Sequence, residues 1–194
     1  MATVRVAADE WLIATHGSGH VLVTDGFSGC VGVVLVGNSK CLLSHVYSNC
    51  LLKTWRTYKP KIIEMLTAFK SGDETLCDSW LVHNDDFETE TLLLLRGHLY
   101  MDFSRHPKVV KDRGCAVNSG AVKMVRRGRI PDPANPDRTV PNIVQTTDPM
   151  SFVPQAGSSY STADGNYSSA VQHDPHVIGG MLNNASWPVS NQRD

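Results

Sequence analysis

Three residues in the first quarter of the chain have side chains that can do chemistry together. Cys30 ends a glycine-rich turn, His45 follows fifteen residues later, and Thr24 stands six residues before Cys30. A histidine that takes the proton of a cysteine generates the thiolate, which is the nucleophilic form of the thiol. If Cys30 and His45 meet in space, the chain is predicted to be a cysteine-dependent enzyme. Thr24 would then orient the imidazole as the third member of a triad.

Two predicted strands bring this pair together. Residues 31–36 are apolar and rich in valine, which predicts a buried strand, and residues 41–47 predict a second one. The intervening residues 37–39, Gly-Asn-Ser, are typical of a turn. In such a hairpin the start of the first strand lies beside the end of the second. We therefore expect Cys30 and His45 within hydrogen-bonding reach of each other.

The turn before the cysteine is predicted to supply hydrogen-bond donors. Gly26 and Gly29 let the backbone turn sharply ahead of Cys30. A turn of this kind can aim successive N–H groups at one point, as an oxyanion hole requires. We expect Ser28 and Gly29 to belong to this turn, with N–H groups near Gly29 and Cys30 stabilising an oxyanion.

The same segment carries a family resemblance. Phe27-Ser28-Gly29-Cys30 resembles the Leu-Ser-Gly-Cys motif of bacterial cysteine-dependent glutamine deamidases, namely the catalytic domain of cytotoxic necrotizing factor and the Burkholderia lethal factor. It is similar to the Gly-Ser-Cys arrangement of the chemoreceptor glutamine deamidases as well. Thr24 and His45 occupy the places that a threonine and a histidine have in this group, whereas Phe27 replaces leucine. The resemblance covers residues 20–50, with a weaker similarity to about residue 125.

The resemblance implies an activity, a fold and a partner. It implies a hydrolase that converts a glutamine of a target protein to glutamate through a thioester on Cys30, with His45 and Thr24 completing the catalytic triad. It also implies packed mixed β-sheets flanked by helices, a toxin or effector role in virulence, and no metal or organic cofactor. One alternative is a transglutaminase or another thiol acyl-transferase or protease with the same dyad. Another is a non-catalytic binding module, in which Cys30 is a small buried hydrophobic residue and His45 a core histidine.

Composition limits the class of protein. The 194 residues are 41% hydrophobic with a net charge of −1, which is typical of a globular domain. No apolar run reaches about 18 residues, so we expect no membrane partner. The basic clusters lack interleaved aromatic residues, so we expect no nucleic acid. The start of the chain lacks the features of a signal peptide, and the five cysteines form no C-x-x-C pair. These features predict a reducing compartment, either the bacterial cytoplasm or the cytosol of a host cell after delivery.

The composition changes at about residue 130. Residues 1–130 contain all five cysteines and are predicted to form the catalytic, deamidase-like core. Residues 131–194 are rich in proline, serine and asparagine, contain eight of the ten prolines, and resemble no family. Such a segment buries little apolar surface by itself. We expect it to wrap the core or to be partly disordered.

The remaining elements favour a mixed fold. A helix is predicted over residues 60–70 with Pro60 in its first turn, and strands over 76–82, 91–101 and 115–125. Many strands with few helices predict an α+β fold, with packed, sandwich-like mixed β-sheets flanked by helices. His16 and His20 form an H-x-x-x-H in a glycine-containing loop rather than on a helix, so no metal site is predicted there. The chain runs from them towards Thr24, so either is a candidate for the mouth of the site.

Overall fold

The described part of the chain folds into two mixed β-sheets and two helices. The computed structural model describes residues 2–27, 29–47, 52–86, 88–120, 123–132, 135–145 and 174–183. Within these residues, both sheets combine antiparallel pairs with one parallel pair, and the sheets pack face to face. The predicted α+β fold with packed mixed sheets is therefore confirmed.

The first sheet carries Thr24 near the end of a central strand. Its strands lie in the order β1 (Ala2–Arg5), β3 (His20–Asp25), β8 (Gly114–Asn118), β9 (Lys123–Asp132) and β10 (Asn135–Gln145). β1 runs parallel to β3, and the other neighbours are antiparallel. Thr24 pairs with Cys115 of β8.

The second sheet carries the predicted hairpin at its centre. Its strands lie in the order β11 (Val177–Met181), β2 (Glu10–Thr15), β5 (Lys40–Val46), β4 (Val31–Gly37), β6 (Leu76–His83) and β7 (Lys108–Lys111). β4 and β5 are antiparallel neighbours, with Val36 opposite Cys41 and Val31 opposite Val46. The strands predicted over 31–36 and 41–47 and the turn between them are therefore present.

Both faces of the second sheet are covered, which explains why β4 is apolar along its whole length. Val34 and Val36 enter the apolar layer between the two sheets. Val33 and Leu35 point to the opposite face, where the helices lie. A strand buried on both faces has a continuous hydrophobic sequence rather than an alternating one.

The two helices bury one apolar stripe each against the outer face of the second sheet. They are α1 (Leu52–Lys70) and α2 (Glu90–Phe103). Their fully or nearly buried residues in this layer are Trp55, Ile62, Met65, Leu66, Phe69, Leu92, Leu95 and Leu99. No helix of the described residues is long and apolar enough to cross a membrane.

Three details of the predicted secondary structure were wrong. The segment predicted as one strand over 115–125 is two, because β8 ends at Asn118, residues 119–120 form a turn and β9 begins at Lys123. The segment 91–101 is helix α2 rather than a strand, because leucine favours helix and Leu92, Leu95 and Leu99 fall on one helical face. The Thr89 hydroxyl caps this helix by accepting the N–H of Leu92. Pro60 lies inside α1 rather than in its first turn. The cost of an internal proline, about 3 kcal/mol, is offset because the preceding turn buries Trp55.

The C-terminal part of the described chain contributes to both sheets. The boundary predicted at residue 130 falls inside β9, and β10 continues the same sheet. β11 pairs with β2, and the N–H of the buried Leu182 donates to the carbonyl of Asp9 at 2.6 Å. Residues 146–173 and 184–194 lie outside the described residues, so the choice between wrapping and disorder stays a prediction there.

A buried lysine stabilises the end of α1, which gives a first prediction. Lys40 Nζ donates to the carbonyls of Ser71 at 2.7 Å and Ala68 at 3.4 Å, where the helix ends. Lys40→Met keeps the apolar stem but leaves these carbonyls without their charged donor. We expect the free energy of unfolding in urea to fall by about 1.5–3 kcal/mol. Lys61→Met is the control, because Lys61 pairs with Glu64 at the surface, and we expect a change below about 0.5 kcal/mol. Equal losses in the two variants would contradict this role of Lys40.

Candidate active site

Thr24 and His45 meet across the interface between the two sheets. Thr24 Oγ1 lies 2.8 Å from Nδ1 of His45, and the Thr24 hydroxyl donates to the carbonyl of Val6 at 2.9 Å. A hydroxyl has one proton, and a carbonyl can only accept. The proton between Thr24 and His45 therefore belongs to Nδ1, which donates to Oγ1. This arrangement fixes the tautomer in which Nε2 of His45 carries a lone pair and can accept a proton.

The environment of His45 keeps its ring neutral. Burial lowers the pKa of His45 from 6.5 to about 4, and the negative charges of Asp9 and Asp25 only partly oppose this. Its Nε2 is buried and has no hydrogen-bond partner among the residues that the structure describes. At neutral pH the ring is therefore an uncharged base with its accepting nitrogen unused.

Cys30 lies on the same face of the sheet as His45. His45 is opposite Gly32 in the β4–β5 ladder, and Cys30 stands two residues before Gly32. Cys30, directly before β4, enters the apolar layer between the sheets, as does Leu43 of β5. His45 is two residues after Leu43, so its side chain points into the same layer. Cys30 is only 4% exposed and belongs to the layer between the sheets. The thiol does not hydrogen-bond Nε2 in this structure, and such bonds in substrate-free enzymes often tighten only when substrate binds.

A phenylalanine and a glycine shape the space around the imidazole. The Phe27 ring meets the His45 ring edge to face, with centroids 5.0 Å apart and an angle of 76°. A Cβ atom on Gly32 would lie 2.4 Å from the Phe27 ring. The missing side chain at Gly32 therefore leaves room for Phe27, which packs against His45. Phe27 is the residue at which the chain departs from the leucine of the deamidase motif.

The turn before Cys30 has the predicted glycine geometry, but one of its N–H groups is engaged. Gly26 and Gly29 have φ angles of 81° and 74°, in the left-handed region that favours glycine. The N–H of Gly29 donates to Oδ1 of Asp85 at 3.1 Å, so it is not directed at a substrate position here. Ser28 lies outside the described residues. The oxyanion hole expected from this turn therefore stays a prediction.

Sequence reasoning missed Asp9, which holds the backbone of His45. The Asp9 N–H donates to the carbonyl of His45 at 2.7 Å. Its carboxylate accepts the N–H of Tyr47 at 3.1 Å and the hydroxyl of Tyr58 at 2.8 Å. Asp9 has a φ angle of 60°, a conformation that aspartate tolerates better than most residues. No local pattern identifies these contacts, because all three partners are more than thirty residues away.

The histidines near the start of β3 belong to a different part of the molecule. His20 begins the strand that Thr24 nearly ends, and His20 Nε2 lies 2.8 Å from Oδ2 of Asp174. His20 therefore does not line the site. The N–H of His16 donates to the carbonyl of Ser39 at 2.7 Å, at the end of β5 away from His45, so His16 does not line it either. Among the described residues, no group of three or more histidine, cysteine, aspartate or glutamate side chains could hold a metal ion. Within the same residues, Cys30, Cys41, Cys77 and Cys115 form no disulfide.

The fold and the site together define an α+β sandwich in which a buried threonine of β3 faces a buried histidine of β5, with a buried cysteine directly before β4. No protein-family model matches the chain. No curated protein sequence matches it either. The interpretation of the site therefore depends on its own geometry and on the motif at residues 27–30.

Gly32→Ala tests the packing around His45. The added methyl group would overlap the Phe27 ring, so either the ring or the β4 backbone must move. We expect the free energy of unfolding to fall by about 1–3 kcal/mol, as for overpacked cores. Gly97→Ala in α2 is the matched control, because a Cβ there meets nothing within 4 Å. In the control, alanine should stabilise the helix by about 0.5–1 kcal/mol. Two changes of the same sign, measured by urea unfolding, would contradict the packing described here.

The pKa of His45 predicts how stability depends on pH. The unfolded chain binds a proton at this side chain near pH 6.5, whereas the folded chain resists it until about pH 4. The contribution of His45 to the free energy of unfolding is therefore complete above about pH 6.5. It decreases as the pH falls towards 4, by up to about 3 kcal/mol. Urea unfolding across this window should show a flatter pH dependence for His45→Gln than for the parent. Parallel curves would show that His45 does not resist protonation in the fold.

Proposed function

We propose that the chain is a cysteine-dependent protein glutamine deamidase with Cys30 as nucleophile, His45 as base and Thr24 as the residue that orients the base. The hydrogen bond from Nδ1 of His45 to the Thr24 hydroxyl is the observation that carries the proposal. A neutral imidazole has one donor and one acceptor nitrogen, and a histidine that only packs in a core is expected to pair both. In His45, Thr24 fixes the tautomer, and Nε2 is buried without a partner among the described residues. That combination favours a base over a packing residue.

The first half of the reaction forms a thioester. Nε2 of His45 takes the proton of the Cys30 thiol, and the thiolate attacks the side-chain amide carbon of a glutamine. The thiolate stabilises the imidazolium that burial otherwise disfavours. The imidazolium then gives its proton to the amide nitrogen, the C–N bond breaks and ammonia leaves.

The second half restores the cysteine. Water gives a proton to Nε2 of His45 and attacks the thioester carbon, and the C–S bond breaks with the proton returning to the sulfur. The net change is one amide and one water converted to one carboxylic acid and one ammonia. Thr24 keeps Nδ1 protonated throughout, so that Nε2 is the nitrogen that exchanges the proton in both halves.

The glutamine substrate and the biological setting come from the resemblance of Phe27-Ser28-Gly29-Cys30 to the deamidase motif. They extend the proposal to a toxin or effector that deamidates a glutamine of a target protein in a reducing cytosol. Burial raises the pKa of Cys41 to about 12, which fits a thiol with a structural role.

Alkylation of Cys30 tests the catalytic pair without a known target. We expect iodoacetamide to label Cys30 in the folded parent at neutral pH, as quantified by peptide mass spectrometry. His45→Gln should slow this labelling by about 10²-fold, the lower range for a positioned base. Thr24→Val should also slow it, whereas Thr24→Ser, which retains the hydroxyl, should not. The exposed Cys77 and the buried Cys41 of the same molecules are the internal references.

The outcomes separate the candidate classes. A Cys30 rate that is unaffected by His45→Gln, with Cys77 unchanged, would overturn the proposed pair and favour a binding module. If the pair is active, a library of glutamine-containing peptides should release ammonia with the parent and not with Cys30→Ala. Incorporation of an added primary amine instead of water would identify a transglutaminase, and cleavage of the peptide backbone a protease.

A further inference from the structure

A carboxylate that the mechanism above does not use lies beside the nucleophile turn. Asp85 follows β6, and the pairing of Val31 with His83 brings the end of β6 next to the start of β4. Oδ1 of Asp85 accepts the N–H of Gly29, the residue directly before Cys30, at 3.1 Å. Oδ2 is buried and has no hydrogen-bond partner within the described part of the chain.

The unpartnered oxygen indicates which kind of ligand is missing. A buried carboxylate oxygen without a donor costs about 1–3 kcal/mol or more, so native proteins satisfy most such atoms. A carboxylate can only accept hydrogen bonds. The group that completes Asp85 must therefore be a hydrogen-bond donor. The other oxygen of the same carboxylate already holds the residue directly before Cys30.

A primary amide supplies such a donor, and its hydrolysis product does not. Glutamine presents an NH₂ group, whereas glutamate presents a second negatively charged oxygen in the same place. Asp85 would accept from the first and repel the second. The N–H of Gly29 is already bonded to Asp85, so the amide oxygen of the substrate is not expected there, because an oxyanion would not form beside a carboxylate. The amide nitrogen then faces Asp85, and the amide oxygen faces away from it.

We propose that Asp85 is the specificity residue of the site, with Oδ2 accepting the side-chain NH₂ of the substrate glutamine while Oδ1 holds Gly29. This inference rests on the proposed function, because it needs Cys30 as the nucleophile. Asp85 thereby selects amide over carboxylate and disfavours rebinding of the glutamate product.

Two alkylating reagents of nearly equal shape test this selection. Iodoacetamide ends in a primary amide and iodoacetate in a carboxylate, so their rate ratio at Cys30 measures the preference directly. We expect the parent to favour iodoacetamide at Cys30 more strongly than at the exposed Cys77 of the same molecule. Asp85→Asn keeps an acceptor for Gly29 but presents an NH₂ in place of Oδ2. It should lower the Cys30 ratio by about tenfold or more, because the acceptor and the repulsive charge both disappear.

A neighbouring aspartate provides the matched control for charge alone. Asp86 is exposed and pairs with Lys111, so Asp86→Asn removes the same charge one residue away. We expect the ratio at Cys30 to change by less than about twofold in this variant, since exposed charges are screened. If Asp85→Asn is not folded by thermal denaturation, Asp85→Ala takes its place with the same expected direction.

Each outcome has one meaning. A ratio that shifts equally in Asp85→Asn and Asp86→Asn, or a parent ratio at Cys30 equal to that at Cys77, overturns the role of Asp85 and leaves the proposed deamidase intact. If the Cys30 rates with iodoacetamide and with iodoacetate fall together in Asp85→Asn and their ratio is unchanged, Asp85 has a purely structural role. That result also overturns the inference. A Cys30 that reacts with neither reagent in the parent overturns the proposed function and the inference together.

Discussion

The hydrogen bond between Thr24 and His45 joins the two sheets through one buried hydroxyl. That hydroxyl donates its one proton to the carbonyl of Val6 and accepts from the imidazole, so it is hydrogen-bonded on both sides within the fold. A shift of one sheet against the other would leave two or three buried polar groups unpaired, at about 1–3 kcal/mol each. The interaction therefore needs the packing of the sandwich and in turn specifies it.

The candidate active site is built from what surrounds this bond. The glycine at position 32 admits the Phe27 ring, which covers one side of the imidazole, and Asp9 fixes the backbone from which His45 projects. The result is a buried position in which the ring is neutral and electrostatic interactions are strong. A polar reaction centre at the core of a sandwich is compatible with a stable fold only if each polar atom has a partner in the fold or in a substrate.

Local sequence patterns predicted the central hairpin better than the segments after residue 90. The hairpin of β4 and β5 follows from a valine-rich run, a Gly-Asn-Ser turn and a second apolar run, and all three signals agree. The segment 91–101 has four consecutive leucines, and such an apolar run fits a buried strand and a helix equally well. The cap at Thr89 and the burial of Leu92, Leu95 and Leu99 decided for helix. Pro60 was placed at a helix start because proline suits the first turn of a helix, whereas α1 begins at Leu52.

Local chemistry in the sequence alone determined three things. It gave the types and order of Thr24, Cys30 and His45. It also predicted the sharp glycine turn, and the hairpin that brings Cys30 and His45 to the same end. Strand alternation also predicts that Cys30 and His45 share a face, once the register is known. Only the tertiary structure decided that Thr24 reaches Nδ1, because that bond requires β3 and β5 to face each other across two sheets. It also decided the positions of Asp9 and Asp85, whose partners lie more than thirty residues away in the chain and become neighbours only through packing.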